Sequence, residues 1–85
     1  MSTKETKQEI PKWFNGTIYD EGAIVANRFT GEEYELNNVE LSIYDFIMGA
    51  TIIMEMDLDT DIENLRKGLG WFRKNNPKAY MVLLD

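Results

Sequence analysis

The chain has 85 residues, of which 44% are hydrophobic and 28% charged, and this fits one small globular domain and excludes a multidomain or fibrous protein. It contains no cysteine and no histidine, so it lacks a thiol nucleophile, a disulfide framework and the side chains that most often act as general base or metal ligand. We therefore predict a protein that is not an enzyme and that needs no cofactor.

The formal net charge of −6 is unevenly distributed along the chain. Residues 20–63 contain twelve acids against one base, Arg28, whereas residues 64–85 contain five bases against one acid, Asp85. Charge of this kind affects encounter with partners rather than the fold. The acidic middle suggests a partner with a basic surface.

Residues 1–11 are polar and show no apolar leader, and we predict that they form a disordered tail ahead of a single domain at 12–85. The longest uncharged apolar run, residues 46–54, has about half of the roughly 18 residues that a membrane span needs. The sequence therefore predicts a cytoplasmic protein without membrane association.

Residues 13–36 contain short runs of β-branched and aromatic residues, at 17–19, 23–29 and 34–36, separated by turns with glycine. This pattern predicts a β-hairpin or a three-stranded meander. A lone hairpin is barely stable in water, so it must pack on another element.

The next segment predicts a helix over residues 39–56, with Asn37 or Asn38 as N-cap and Glu40 near the positive helix start. One apolar stripe is expected in the core, and a second set of apolar residues lies outside it, leaving a narrow polar strip. The core stripe is Val39, Ile43, Phe46, Ile47, Ala50 and Met54; the second set is Leu41, Tyr44, Met48, Ile52 and Met56; the polar strip is Ser42, Asp45 and Gly49. A chain of this length is too short to cover both apolar sets. We therefore predict that the second set forms the protein interface of a homodimer.

A second helix should begin at a capping box formed by Thr60 and Glu63 and bury a stripe of four apolar residues: Ile62, Leu65, Leu69 and Phe72. Gly68 and Gly70 either permit close contact with the first helix or mark a kink. A short last helix is predicted up to Leu84, with Asn76 as its cap and Pro77 in its first position.

Two charged patterns suggest binding chemistry. Asp57, Asp59 and Asp61 alternate like the start of a calcium loop, but Ile62 and Gly68 stand where such a loop needs glycine and glutamate, so a solvated acidic linker is the favoured interpretation.

Bases next to aromatic residues suggest an alternative nucleic-acid surface, formed by Arg66, Lys67, Arg73, Lys74 and Lys78. Phe72 falls on the predicted core stripe and the protein as a whole repels polyanions, so we do not expect nucleic acid to be the main partner.

Four stretches together resemble small uncharacterised proteins encoded by tailed phages of marine cyanobacteria. They are residues 13–16 (WFNG), 27–32 (NRFTGE), 43–49 (IYDFIMG) and 70–85 (GWFRKNNPKAYMVLLD). The resemblance implies phage origin and residence in the cytoplasm of an infected host. It supplies no established activity and no catalytic residues.

The sequence thus predicts an α+β fold, with an N-terminal β-hairpin or three-stranded meander packed on two helices plus a short C-terminal helix. The favoured function is a non-catalytic protein-interaction module that forms homodimers and, if phage-encoded, modulates a host or phage protein. The alternatives are a nucleic-acid-binding accessory protein and a minor structural component of a virion.

Overall fold

A computed structural model of the chain describes residues 9–59 and 61–84. The elements follow in the order β1 (Ala23–Ala26), β2 (Glu33–Leu36), α1 (Asn38–Glu55), α2 (Ile62–Asn75) and α3 (Pro77–Ala79), and α3 continues directly into a π-helical segment (Tyr80–Leu84). The two strands form an antiparallel hairpin. The predicted α+β fold is confirmed in its hairpin form. Most of the predicted disordered tail, residues 1–8, lies outside the described residues.

The hairpin packs one face inward. Ala23 pairs with Leu36 and Ala26 with Glu33. Leu36 is buried and Val25 half-buried, because successive side chains in a strand point to opposite faces.

The turn between the strands is organised by Asn27. Its Oδ1 accepts hydrogen bonds from the backbone nitrogens of Phe29 (2.7 Å) and Thr30 (3.1 Å), and its backbone nitrogen donates to the oxygen of Glu32 (2.8 Å). Gly31 completes the turn with a φ of +80°, a conformation that glycine adopts without steric cost. The tip of the hairpin is therefore held in one defined shape.

Helix α1 begins with a reciprocal capping box. Asn37 Oδ1 accepts from the backbone nitrogen of Glu40 at 2.8 Å, and Glu40 Oε1 accepts from the backbone nitrogen of Asn37 at 2.9 Å. Glu40 Oε2 also accepts from Asn76 Nδ2 at 2.8 Å, which joins the start of α1 to the cap of α3. The structure thus selects Asn37 from the two predicted caps.

The hydrophobic core lies where α1 and α2 meet the hairpin and the C-terminal segment. Its buried residues are Phe14, Leu36, Val39, Ile43, Ile47, Ala50, Leu65, Phe72, Ala79 and Leu83. The predicted core stripe of α1 is correct for Val39, Ile43, Ile47 and Ala50, whereas Phe46 is only half-buried and packs against the core. The stripe is wrong for Met54, which is exposed, because α2 contributes its first buried residue only at Leu65; for the same reason the predicted core residue Ile62 is exposed.

Ser42 corrects another prediction. It was placed on the polar strip of α1, but it is buried. Its hydroxyl accepts from the backbone nitrogen of Tyr19 at 2.9 Å and donates to the oxygen of Asn38 at 2.7 Å. The segment before β1 therefore covers this part of α1, and Ser42 provides a polar partner for its backbone.

Gly68 is the glycine at which α2 approaches α1 closely. A Cβ atom added there would lie 3.0 Å from Ile47 Cγ1, whereas one added at Gly70 would have no neighbour within 4 Å. Helix α2 continues unbroken through both positions. Of the two predicted roles, close contact thus applies to Gly68.

The C-terminal segment is docked as predicted. Asn76 Oδ1 accepts from the backbone nitrogen of Ala79 at 3.2 Å, and Ala79 and Leu83 are buried. The predicted cap of α2 is replaced by Asp61, and the expected cap, Thr60, lies outside the described residues. Within residues 9–59 and 61–84, no helix combines the length and the apolar character needed to cross a bilayer.

Candidate protein-contact surface

The predicted interface residues lie along one side of α1. Tyr44, Met48, Ile52 and Met56 follow one another at intervals of four, and Leu41 precedes them by one turn; we call these five residues the α1 ridge. Leu41, Tyr44 and Met48 are half-buried, Ile52 is 44% exposed and Met56 62% exposed. Burial therefore decreases towards the C-terminal end of the helix.

The C-terminal end of α1 carries exposed apolar residues on more than one side. No residue of α1 after Ala50 is buried. Six exposed apolar side chains lie here and on the connection to α2, and we call them the apolar end: Ile52, Ile53, Met54, Met56, Leu58 and Ile62. At roughly 200 Å² for a fully exposed side chain of this size, they present about 570 Å². This is in the range of the largest patch on a typical monomer, which is often functional.

This end of the helix is well formed in spite of its exposure. Leu58 donates its backbone N–H to the oxygen of Ile53 at 3.1 Å, and Asp57 donates to the oxygen of Met54 at 3.0 Å. These are the two bonds of a Schellman motif, with Asp57 in the left-handed position at a φ of 62°. The motif satisfies terminal carbonyls and directs Leu58 back towards the helix end.

The tip of the hairpin extends this surface. Phe29 is 81% exposed, and the Arg28 guanidinium lies 4.8 Å from the centre of its ring. Arg28 Nη2 also bonds Glu55 Oε2 at 2.6 Å, which ties the tip to the last turn of α1. The aromatic ring is thereby held next to the α1 ridge.

A pocket of about 200 Å³ opens between the hairpin tip, the α1 ridge and the C-terminal segment. Tyr44, Met48 and Phe29 line it on one side and Leu83 and Leu84 on the other. Asn27 Nδ2 fixes the mouth by donating to the oxygen of Val82 at 2.9 Å. The half-buried part of the ridge is thus the floor of a mostly apolar depression.

Tyr44 is held neutral in this depression. Burial raises the pKa of its hydroxyl above the usual 10.0, the nearby Arg28 opposes the shift, and Asp45 adds to it. Tyr19 Oη donates to Asp45 Oδ2 at 3.0 Å, and this bond raises the pKa of Tyr19. Neither tyrosine has a partner here that would make it a base near neutral pH.

Carboxylates border the apolar end. Asp57 and Asp59 are exposed, and Asp61 caps α2, where its Oδ1 and Oδ2 accept from the backbone nitrogen and Nδ2 of Asn64 at 3.1 and 2.9 Å. Asp57 therefore ends α1, Asp59 lies in the linker, and Asp61 caps the start of α2. Among the described residues no group of three acids is close enough together to hold a metal ion.

The five bases of the predicted nucleic-acid surface do not all converge. Lys67 and Lys74 line a groove next to Trp71, where Lys12 and Trp13 join them from the N-terminal segment. The others are exposed but lie outside the residues that line this groove: Arg66, Arg73 and Lys78. The Arg73 guanidinium lies 5.2 Å from the centre of the Tyr80 ring, and Lys67 Nζ lies 3.8 Å from Glu63 Oε2.

Sequence reasoning missed Phe29, Ile53 and Leu58 at the apolar surface. Phe29 reads as an ordinary strand residue, and its exposure depends on where the hairpin ends. The one usable signal was the unbroken apolar run at the end of the first helix, which was assigned in part to the core.

Comparison of the chain with protein-family models, with curated proteins and with solved structures gives no match. The resemblance to proteins of cyanobacterial phages therefore stays a prediction, and the function is argued from the surface alone.

Proposed function

We propose that this chain is a non-catalytic protein-interaction module that forms a homodimer through the α1 ridge, the apolar end and Phe29. The observation that supports it is the last part of α1, where Ile52, Ile53 and Met54 remain exposed and nothing within residues 9–59 and 61–84 buries them. Exposed apolar surface of this extent marks interaction sites on soluble proteins.

The size of the surface fits such a contact. With Phe29 added, the exposed apolar side chains reach about 700 Å², close to the roughly 800 Å² that each partner contributes to a stable interface. Each partner covering that area gains on the order of 15 kcal/mol at about 25 cal/mol per Å², of which association and side-chain ordering consume a large part. We therefore expect a dimer in the micromolar range.

A second copy is the favoured partner because apolar residues with this spacing on one helix can pack against the same residues of an identical helix. Side chains spaced by four along a helix form a ridge that packs into the groove of an identical helix, with the axes crossing at about −50°. A two-fold axis then brings the same residues together from both chains. The Arg28–Glu55 ion pair beside this surface is already formed within the subunit.

Sedimentation across a dilution series tests the proposal, with Ile52→Lys as the disrupting variant. Ile24→Lys is the matched control, since Ile24 is 64% exposed on the hairpin, away from α1. We expect wild type and Ile24→Lys to dimerise alike and Ile52→Lys to stay folded and monomeric. A monomeric wild type throughout the micromolar range would contradict the proposal; if Ile52→Lys unfolds, Met56→Lys repeats the test at a more exposed position.

A partner with a basic surface is the second candidate, favoured by Asp57 and Asp59 at the border of the apolar end. The dependence of binding on salt distinguishes the homodimer from a complex with a basic partner. A homodimer brings like carboxylates together, so added salt should tighten it by screening, whereas a complex with a basic partner should weaken. If the phage resemblance holds, the module would modulate a host or phage protein in this way.

A further inference from the structure

A groove of about 500 Å³ lies between α2 and the segment that precedes the hairpin. Helix α2 contributes residues at intervals of three and four, which share one face. The residues that line the groove include Lys12, Trp13, Lys67, Gly70, Trp71 and Lys74. This groove shares no residue with the proposed dimer surface.

The charge of the groove is opposite to that of the protein. Three lysines line it against one acid, Glu9, in a chain of net charge −6. Glu63 lies near Lys67 at 3.8 Å, an exposed pair that leaves the ammonium group accessible. The groove is therefore locally attractive to an anion.

Both tryptophans of the chain line the groove and are held by the core beneath them. Trp13 contacts Phe14 edge to face with ring centres 6.0 Å apart, and Trp71 meets Phe72 in the same way at 5.2 Å. Each indole is half-buried, so part of it stays open. Rings fixed in this way offer a stacking surface at little entropic cost.

Gly70 keeps the groove open between the lysines. A Cβ atom there would meet nothing within 4 Å, so the position is bounded by free space and not by a packed neighbour. Glycine costs about 1 kcal/mol relative to alanine inside a helix, and packing does not require it here. Open space at Gly70 is what a ligand lying across α2 needs.

The geometry points to a binding site for single-stranded nucleic acid in this groove, with a base against the indoles of Trp13 and Trp71 and phosphates near Lys12, Lys67 and Lys74. Lysines that follow the backbone, together with aromatic rings that stack bases, are the usual means of holding single strands without sequence preference. The volume suits one or two nucleotides, and binding should weaken as salt rises because the lysine–phosphate contacts release counterions.

Tryptophan fluorescence measures this groove directly, since the chain has no tryptophan elsewhere. We expect a short oligothymidylate to quench it in a saturable way at low salt. With two or three phosphate contacts, affinity should fall about tenfold for a fourfold rise in salt. Lack of saturable quenching at low salt would overturn the proposal.

Variants and competitors identify the ligand chemistry. Lys74→Glu should weaken binding about tenfold, while the matched control Lys78→Glu, outside the groove, should change it less than about threefold. Gly70→Leu should abolish binding by filling the groove. Equal loss in Lys74→Glu and Lys78→Glu would overturn the site.

Two further polymers distinguish the sources of negative charge. Inorganic polyphosphate should bind more weakly than the oligonucleotide and leave the fluorescence unchanged, because it has no base to stack. Polyglutamate should not compete. Polyphosphate binding as tightly as the oligonucleotide, or displacement by polyglutamate, would overturn the assignment to nucleic acid in favour of a general anion or an acidic peptide.

Discussion

The two ends of α1 invert the usual distribution of polar and apolar groups. At the N-terminal end a carboxylate, Glu40, and a hydroxyl, Ser42, are buried and hydrogen-bonded. At the C-terminal end isoleucines and methionines are exposed. The polar end is fixed within the subunit by hydrogen bonds that specify the fold, whereas the apolar end is left uncovered by the part of the chain that the structure describes. Substitutions at the two ends should therefore affect different properties.

Stability measurements separate the two ends only if assembly does not contribute to them. Binding of any partner to the folded state raises apparent stability by mass action. The free energy of unfolding should therefore be measured by urea unfolding of the Ile52→Lys variant, which we expect to be monomeric.

The largest effect is expected at Gly22, next to the N-terminal end of α1. An added Cβ would lie 2.0 Å from the oxygen of Leu36 and 2.7 Å from the Cα of Asn37, the helix cap. Both neighbours are backbone atoms that cannot move without disturbing β2 or the cap. Gly22→Ala should lower the free energy of unfolding by about 3 kcal/mol or more. A loss under about 1 kcal/mol would show that this junction is loosely packed.

Glu40 tests the buried polar network. Its two oxygens accept from the backbone nitrogen of Asn37 and from Asn76 Nδ2. Glu40→Gln keeps the shape but sets an amide group against one of these donors, so it should cost about 2 kcal/mol. Asn76 cannot simply turn round, since its oxygen already caps α3 at Ala79. An unchanged midpoint would contradict this role for the carboxylate.

Gly68 and Gly49 differ in how closely the rest of the structure packs against them. At Gly68 a methyl group would press on Ile47 at 3.0 Å, and Ile47 is buried; at Gly49 it would meet nothing within 4 Å. Gly68→Ala should cost about 1 kcal/mol, whereas Gly49→Ala should add about 1 kcal/mol by helix propensity. Two changes of the same sign would show that packing does not differ between these positions.

Asp57 tests the C-terminal end. It occupies the left-handed position of the Schellman motif, where glycine carries no steric cost. Asp57→Gly should therefore stabilise the monomer by about 1 kcal/mol. Asp59→Gly is the control, a loss of the same charge from the same linker without a left-handed residue. Equal effects from both would assign the gain to charge.

The smallest effect concerns Tyr44, midway along α1. Burial raises the pKa of its hydroxyl, so the folded state retains this proton at a pH where the unfolded chain releases it. This contribution to stability is complete below pH 10.0 and is lost as the pH rises through the folded value. The free energy of unfolding should be measured at pH 8 and above pH 10. Its decrease between the two should be smaller for Tyr44→Phe than for its parent. If both proteins lose the same stability between these pH values, the loss at alkaline pH would come from other groups, such as Tyr19.

The sequence by itself determined the order of the hairpin and the helices, because these depend on local chemistry, but it left a third strand open and did not indicate the π-helical end at Tyr80–Leu84. The capping residues before α1 and α3, the glycine turn of the hairpin and the helical spacing of Val39, Ile43 and Ile47 all act within a few residues of chain. The excess of apolar residues on α1 was also visible from composition and spacing, which is why the α1 ridge could be named in advance.

Only the tertiary structure decided where the core stops and which distant groups meet. Ile62 and Met54 fit the apolar periodicity of their helices, yet they are exposed because the two helices converge only from Leu65 and Ala50 inwards. Lys12 and Trp13 lie more than fifty residues before Lys67 and Trp71, and no local pattern relates them. Burial and convergence depend on how the elements pack together, and that information is spread over the whole chain.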